Sequence, residues 1–108
     1  MTALANKHCS PGGQATALSN AEITTYLATL EDWQHVGNEI LKTFVFKNYY
    51  ETMAFVNASA WVSHHEDHHP DMSVHYNKCV VVYSTHDAGG VTLNDFICAA
   101  KLDALLAV

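Results

Sequence analysis

The chain has 108 residues, 49% of them hydrophobic, and its 11 acidic and 5 basic residues give a formal net charge of −6. This length supports one domain with a single core, and no run approaches the roughly 18 apolar residues of a membrane helix. Because binding to a phosphate backbone depends on basic side chains, this charge also speaks against nucleic acid as a partner.

The cysteines and the N-terminus indicate a compartment. Cys9, Cys79 and Cys98 share no short metal-type spacing, which favours reduced thiols. The N-terminus has neither an apolar signal core nor an arginine-rich targeting pattern. We therefore expect a cytoplasmic protein with no membrane segment.

The first residues of the chain predict an arm and then a helix. Residues 1–17 lack apolar periodicity and contain "SPGGQ", which is typical of a flexible N-terminal arm, so the folded domain is predicted to span 18–108. The segment "SNAE" has the form of a capping box, with Ser19 as N-cap and Glu22 reaching back. Apolar residues at helical spacing follow at Ile23, Leu27 and Leu30. They predict a first helix that runs to about Glu31.

A hairpin and a second helix are predicted next. Gly37 and Asn38 separate two extended-looking runs, of which the second covers about residues 39–46. Asn48 and Glu51 repeat the capping-box pattern. The apolar stripe predicted for this helix consists of Tyr49, Met53, Val56 and Ala60.

The last third of the chain predicts strands and a third helix. Pro70 prevents the second helix from continuing. The segment "VHYNKCVVVYST" predicts one long strand or a strand pair, and two glycines end it. Thr92 and Asp95 can cap the third helix, for which we predict a buried face of Phe96, Ala99, Ala100 and Leu106. The order of elements predicts an α+β domain with an antiparallel sheet and three helices packed on one face, the other face being open or used for self-association.

Histidine is the anomaly in the composition. Six of the eight histidines lie within 23 residues, at positions 64, 65, 68, 69, 75 and 86. His64 and His68 are four apart, so one helical face could present both to a transition metal, although no third ligand lies at a recognised distance. Acid–base chemistry without metal is the second interpretation, since imidazole titrates near pH 6.5. Exposure without a role is the third, and we expect it for His65 and His75.

The spacing of these residues resembles a known family. His64 is followed after three residues by His68-His69-Pro70, then after five by Tyr76, after nine by His86 and after eight by Asp95. Together with "HHPD" and "THDAGGVTLND", this compound motif resembles the pterin-4a-carbinolamine dehydratases. The resemblance extends from about residue 19 to residue 106.

The resemblance implies a fold, a reaction and partners. Members have a four-stranded antiparallel sheet with helices on one side, and they form homodimers or homotetramers. They dehydrate 4a-hydroxytetrahydropterin, the product of aromatic amino acid hydroxylases, to quinonoid dihydropterin, and they use no metal and no bound cofactor. A pterin is thus the expected substrate.

The resemblance also assigns site residues. His68, His69 and His86 would be catalytic, with His68 and His86 exchanging protons and His69 orienting the pterin. The residues expected to bind the substrate are Asp67, His68, His69, Pro70, Ser84, Thr85, His86 and Asp87. His64 stands where many members have glutamate, and we give it a supporting role. Asp95 would also be supporting, although helix capping alone explains a carboxylate at this position.

A binding function is the alternative. Some animal members of the family also act as dimerisation cofactors for a homeodomain transcription factor. A third interpretation is a family relative repurposed as an assembly module for another protein. The complete set of His68, His69 and His86 favours the enzyme, because a pure scaffold has no need of them.

Overall fold

The computed structural model of the protein describes residues 3–106, and these residues form one four-stranded sheet and three α-helices. The strands are β1 (Gln34–Val36), β2 (Glu39–Val45), β3 (Asp71–Val74) and β4 (Lys78–Tyr83). The helices are α1 (Asn20–Leu27), α2 (Tyr49–Glu66) and α3 (Leu93–Leu105). All strand pairs are antiparallel, in the order β1-β2-β4-β3. The predicted α+β class and antiparallel sheet are confirmed.

The helices cover one face of this sheet. Side chains alternate between the two faces of a strand, and Cys79, Val81 and Tyr83 of β4 are fully buried beneath the helices. The intervening Val80 and Val82 are only partly buried. On the same uncovered face, Val45 of β2 is 73% exposed. None of the helices within residues 3–106 is long and apolar enough to cross a membrane.

The predicted turns and caps are largely confirmed. Ser19 and Glu22 form a complete capping box at the start of α1. Gly37, with a φ of 58°, lies in the turn between β1 and β2, a conformation that favours glycine. The Asn48 side chain accepts a hydrogen bond from the Glu51 backbone N–H at the start of α2. The segment "VHYNKCVVVYST" begins with Val74, the last residue of β3, and contains all of β4. The antiparallel partner strand β3 therefore lies mostly before the predicted segment.

Helix α1 is shorter than predicted. It ends at Leu27 instead of continuing to about Glu31. The next residues form tight turns, with the Leu30 N–H donating to the Leu27 carbonyl, and Asp32 has a φ of 66°. A positive φ does not belong in a right-handed helix, so the chain turns here toward β1.

The predicted buried stripe of α2 is wrong. Tyr49 and Ala60 are exposed, and Met53 and Val56 are only partly buried. The buried residues of this helix are Thr52, Phe55, Ser59 and Val62. Two of these four carry hydroxyls that donate to backbone carbonyls, of Asn48 and of Val56 respectively. A hydroxyl that is satisfied in this way can be buried at little cost, so residue polarity misassigned the inner face.

Helix α3 is buried along most of its length. Phe96, Ala99 and Ala100 are buried as predicted, but Leu106 is 46% exposed. Leu106 follows the last helical residue as the C-cap. It therefore lies beyond the part of α3 that the sheet and α2 enclose.

Residues predicted as an N-terminal arm contact the helices. The Cys9 backbone N–H donates to Glu66 Oε1 at 2.7 Å. The backbone of Ser10 exchanges two hydrogen bonds with the Asn94 side chain, at 3.0 and 2.8 Å. This segment therefore lies against the ends of α2 and α3, while the domain boundary at residue 18 stays a prediction.

Candidate active site

A polar cavity of about 280 Å³ opens at the end of β4. Its lining residues come from two loops and the strands that join them: Asp67, His68, His69, Asp71, Val82, Ser84, Thr85, His86 and Asp87. Seven of the eight residues predicted to bind substrate therefore lie around one cavity. Pro70 is the exception and is not part of the lining.

The register of two strands brings these loops together. Asp71, the first residue of β3, pairs with Val82 near the end of β4. Because the strands are antiparallel, the segment before β3 and the segment after β4 emerge at the same edge. The loop that carries His68 and His69 thus meets the turn that carries His86.

The end of α2 sets the direction of the first loop. Asp67 follows the helix with a φ of 49° and a ψ of 44°, and its N–H donates to the Ser63 carbonyl. The His68 N–H donates to the same carbonyl at 3.2 Å. A left-handed residue after a helix reverses the chain, and aspartate is one of the few non-glycine residues that adopts this conformation readily. The two histidines after it therefore leave the helix axis and line the cavity.

His68 is anchored by a buried carboxylate. Its Nε2 lies 2.6 Å from Asp95 Oδ1, and the His68 side chain is 12% exposed whereas Asp95 is fully buried. A carboxylate accepts and does not donate, so Nε2 carries the proton of this bond. In neutral His68 the other nitrogen, Nδ1, then has a free lone pair, and His68 has the form of a base held in one tautomer.

Two threonines complete the surroundings of Asp95. The Thr85 hydroxyl donates to Asp95 Oδ2 at 2.9 Å, and the Thr92 backbone N–H donates to the same oxygen at 2.9 Å. The hydroxyls of Thr85 and Thr92 lie 2.8 Å apart, so Thr92 donates to Thr85. Asp95 therefore caps α3 and also orients His68, which exceeds the capping role that explains it from sequence alone. A buried carboxylate is tolerated when its lone pairs are filled in this manner.

The other two predicted catalytic histidines are more open to solvent. His69 and His86 are both exposed, and both line the cavity. His69 Nδ1 donates to the Pro70 carbonyl at 3.2 Å. His86 begins the short 3-10 turn His86–Ala88 directly after the buried Thr85. The cavity thus has one histidine fixed by a carboxylate and two with freer rings.

The remaining histidines of the cluster lie outside the cavity. His64 is exposed on α2 and is not in the lining, so the structure does not bring it to the other predicted site residues. His65 and His75 are exposed, as predicted. The His65 ring lies 4.2 Å from the ring of Trp61, measured between centroids.

Sequence reasoning missed three residues of this region. Asp71 and Val82 line the cavity, and Asp71 directly follows Pro70 in the "HHPD" segment. The Tyr83 ring is nearly parallel to the His68 ring, at 12° and 5.8 Å between centroids. The motif itself could have identified Asp71, but Tyr83 reads as an ordinary buried strand residue and carries no such signal.

The charge of the cavity is acidic. Asp67, Asp71 and Asp87 all line it, with no lysine or arginine among the lining residues. Within residues 3–106, no three His, Cys, Asp or Glu side chains are grouped in a way that could hold a metal ion. The lining therefore suits an uncharged or cationic ligand that donates hydrogen bonds.

The fold and the cavity together define a small α+β protein with a histidine–carboxylate pocket at the open end of a hairpin. A family model described as Pterin 4 alpha carbinolamine dehydratase matches residues 16–105. The chain belongs to this family, and the resemblance seen in its sequence is confirmed.

Relatives and solved structures agree with this membership. The chain is 61% identical over 97 residues to a Chromobacterium violaceum protein named "Putative pterin-4-alpha-carbinolamine dehydratase", covering 90% of each chain. It is 57% identical to a protein of the same name from Nitrosospira multiformis, covering 97% of this chain and 94% of the relative. A Brucella melitensis structure described as a transcriptional coactivator/pterin dehydratase has a TM-score of 0.81 and 32% identity, covering 83% of this chain and 98% of that one.

A second solved structure is more distant. It is described as a pterin dehydratase-like protein that acts as a RuBisCO assembly factor in the alpha-carboxysome. The match has a TM-score of 0.56 and 26% identity, and it covers 68% of this chain and 84% of that one. The fold is therefore shared with a protein described by an assembly role.

Proposed function

We propose that the protein dehydrates 4a-hydroxytetrahydropterin to quinonoid dihydropterin and water in the recycling of tetrahydrobiopterin. Histidines supply the acid and the base, and no metal or bound cofactor takes part. The observation that carries the proposal is the His68 Nε2–Asp95 Oδ1 bond of 2.6 Å at the wall of a cavity that His69 and His86 also line.

The reaction requires two proton transfers on one ring. The C4a–O bond breaks, and the departing hydroxyl needs a proton to leave as water. A ring N–H then loses its proton, and the nitrogen–carbon double bond of the quinonoid product forms. General acid and general base catalysis each depend on a group that titrates near neutral pH, which imidazole does.

The surroundings of the three histidines suggest how these transfers are divided. His68, held by Asp95 through Nε2, is suited to exchange a proton at Nδ1. His86, exposed at the opposite loop, is the partner that completes the exchange. His69 is held by the Pro70 carbonyl and would orient the ring and polarise the hydroxyl.

The acidic lining supports a pterin as the ligand. A pterin carries an amino group and ring N–H groups, which are hydrogen-bond donors. Carboxylates accept such bonds more strongly than neutral groups do. Asp67 and Asp87 lie at the two loops of the cavity and are suited to this contact.

The direct test is dehydration of a chemically generated 4a-hydroxytetrahydropterin, followed spectroscopically. Wild type should exceed the spontaneous rate, and His68→Ala should lose roughly 10²-fold or more of that enhancement, the range that acid–base catalysis contributes. His75→Ala is the matched control, because His75 is an exposed histidine outside the cavity and should leave the rate unchanged. No enhancement by wild type would overturn the proposal.

The wider setting follows from the proposed reaction. The substrate is a product of aromatic amino acid hydroxylases, so we infer a functional link to such an enzyme, in the cytoplasm.

We also infer a homodimer or homotetramer. Tyr50 and Trp61 on α2 are 81% and 66% exposed, and Val45 on the open sheet face is 73% exposed. A contiguous apolar patch is typical of a surface that associates, so these exposed side chains are the first positions to substitute in a test of self-association.

A protein-binding role is the second candidate. The similar structures include one described as a coactivator and one described as an assembly factor. The histidine cavity favours the enzyme, since a scaffold could use Asp95 as a helix cap but has no need of its bond to His68. An inactive protein that nevertheless forms a stable complex with a partner would favour this alternative.

A further inference from the structure

Two cysteines from distant parts of the chain lie in contact. Cys9 Sγ is 3.6 Å from Cys98 Sγ, and both are free thiols. Cys9 belongs to the segment before α1, whereas Cys98 lies in the middle of α3. This pair is separate from the cavity, since neither residue is among its lining.

The geometry of the pair favours a bond between the sulfur atoms. Their separation exceeds a disulfide bond of about 2.05 Å by roughly 1.5 Å. Cys98 is fixed within the helix and fully buried, but Cys9 lies in irregular backbone and is only partly buried. A small movement of the Cys9 backbone or side chain is therefore enough to close the gap.

The contacts of Cys9 hold it in this position. Its N–H donates to Glu66 Oε1, its thiol donates to the Asn94 carbonyl at 3.6 Å, and the next residue, Ser10, is bound to the Asn94 side chain. The thiol pair is thus pre-arranged by groups on both neighbouring helices. Such pre-arrangement lowers the entropy cost of bringing two cysteines together.

We propose that Cys9 and Cys98 are a reversible oxidation site, at which a peroxide converts the two thiols into an intramolecular disulfide. Cys9 reacts first because it is the partly exposed thiol. The Cys9 thiol first loses its proton, and the resulting thiolate attacks one oxygen of hydrogen peroxide. The O–O bond breaks, and the departing hydroxide takes up the proton that the thiol lost, so Cys9 sulfenic acid and water result. The Cys98 sulfur then attacks the Cys9 sulfur, loses its proton and expels the hydroxyl as a second water. Two thiols are oxidised and one peroxide is reduced to two waters.

The environment of Cys98 fits the role of the second thiol. The contact with Cys9 and burial raise the pKa of the Cys98 thiol. A thiol that stays protonated is a poor first nucleophile, so it does not compete with Cys9 for the oxidant. It becomes productive once the adjacent sulfenic acid offers an electrophilic sulfur.

The bond would fasten the N-terminal segment to α3 beside the cavity. Asn94, which contacts Cys9 and Ser10, directly precedes Asp95. Glu66, which binds the Cys9 N–H, lies two residues before His68. The segment held by the disulfide thus contacts Asn94, next to Asp95, and Glu66, two residues before His68.

The test counts thiols in the full chain after treatment with hydrogen peroxide. Reduced wild type should alkylate at all three cysteines after denaturation, and the oxidised protein only at Cys79. Dithiothreitol should restore the other two. The thermal unfolding midpoint should rise by about 10 °C or more on oxidation, because the bond closes a long loop.

Two variants make the test specific. Cys9→Ser, at a partly exposed position, should keep both remaining thiols after peroxide and should show no rise in midpoint. Cys79→Ala removes the thiol that does not take part, so peroxide should leave no alkylatable thiol in it. Three free thiols in oxidised wild type, a disulfide between chains or a sulfinic acid at Cys9 would each overturn the proposal. These readouts do not involve catalysis, so they are independent of the dehydratase assay.

Discussion

Two pairs of neighbouring histidines, four positions apart, have different surroundings. The helix pair, His64 and His65, is exposed on the last turn of α2, and its contacts include the Trp61 ring. The loop pair, His68 and His69, lines the cavity, and His68 binds a buried carboxylate. Residue type and local density are the same in both pairs. The difference shows that the backbone between them decides which pair is available for chemistry.

Two acidic residues produce this difference. Glu66 is the last residue of α2 and is held by the N-terminal segment, through His8 Nδ1 at 3.0 Å and the Cys9 N–H at 2.7 Å. Asp67 then takes the left-handed conformation that turns the chain. The helix pair points away from the cavity because it precedes this turn, and the loop pair reaches the cavity because it follows it.

The largest loss of activity should follow from replacing Asp95, the carboxylate that holds His68 of the loop pair. In Asp95→Asn the amide can donate to His68 and thus favour the other tautomer. We therefore expect kcat/KM to fall by about tenfold to a thousandfold. Acid–base catalysis contributes roughly 10²–10⁴-fold in total, so this is a large part of it. A positioning role for Asp95 also predicts a shifted pH–rate profile, which stability loss alone would not produce.

Asp103→Asn is the matched control for Asp95→Asn. Asp103 is also on α3, but it binds the Trp33 Nε1–H and Lys42 instead of a cavity residue. Its replacement should lower stability and leave kcat/KM near the wild-type value. An Asp95→Asn enzyme that is folded and as active as wild type would remove Asp95 from the mechanism.

A smaller effect, on stability, is expected from replacing Glu66, which lies between the two histidine pairs. Burial raises the pKa of Glu66, but the Cys9 N–H, His8 and Lys101 outweigh it, so the pKa lies below its ordinary value of 4.5. A group with a lowered folded-state pKa stabilises the protein above its ordinary pKa, and this contribution is lost as the pH falls through the lowered value.

Glu66→Gln should therefore flatten the acid side of the stability profile. The urea midpoint of wild type should fall more steeply than that of the variant between about pH 5 and pH 3. At neutral pH the variant should be less stable by about 1.5–3 kcal/mol, the range for hydrogen bonds to a charged group. If the urea midpoints of the two proteins changed in parallel with pH, the bonds of ionised Glu66 to its partners would contribute no stability.

The smallest effect on activity is expected from replacing His64 of the helix pair. His64 stands where the family resemblance leads us to expect glutamate, yet it is exposed and outside the cavity lining. His64→Glu should therefore leave both the rate and the pH–rate profile of the dehydration unchanged. A profile displaced relative to wild type would mean that His64 acts on the cavity in spite of its position.

The sequence predicted which residues line the cavity better than it predicted the hydrogen bonds between them. The family resemblance carried by "HHPD" and "THDAGGVTLND" implied the residues of both loops, and seven of those eight residues line the cavity. The contact between His68 and Asp95 joins positions 27 residues apart. Local rules describe Asp95 as a capping residue, and only the tertiary packing of α3 against α2 brings its second oxygen to a histidine.

The fold was predicted where local chemistry determines it. Caps and turns at Ser19, Gly37 and Asn48 depend on neighbouring residues and are visible in the sequence. The inner face of α2 depends on Thr52 and Ser59, whose hydroxyls donate to carbonyls of the same helix or the turn before it. An apolar periodicity that counts hydroxyl residues as polar therefore selects the wrong stripe.

The β3–β4 hairpin, whose flanking loops line the cavity, also affects the order in which the protein can fold. Apart from the N-terminal contacts, the site lies within residues 67–95, since the loops flank β3 and β4 and Asp95 begins the next helix. The entropy of closing a loop grows with its length, and folding slows as contacts become more distant in sequence. A contiguous site of this kind can assemble as one local unit, before β1 and α1 reach their places in the domain.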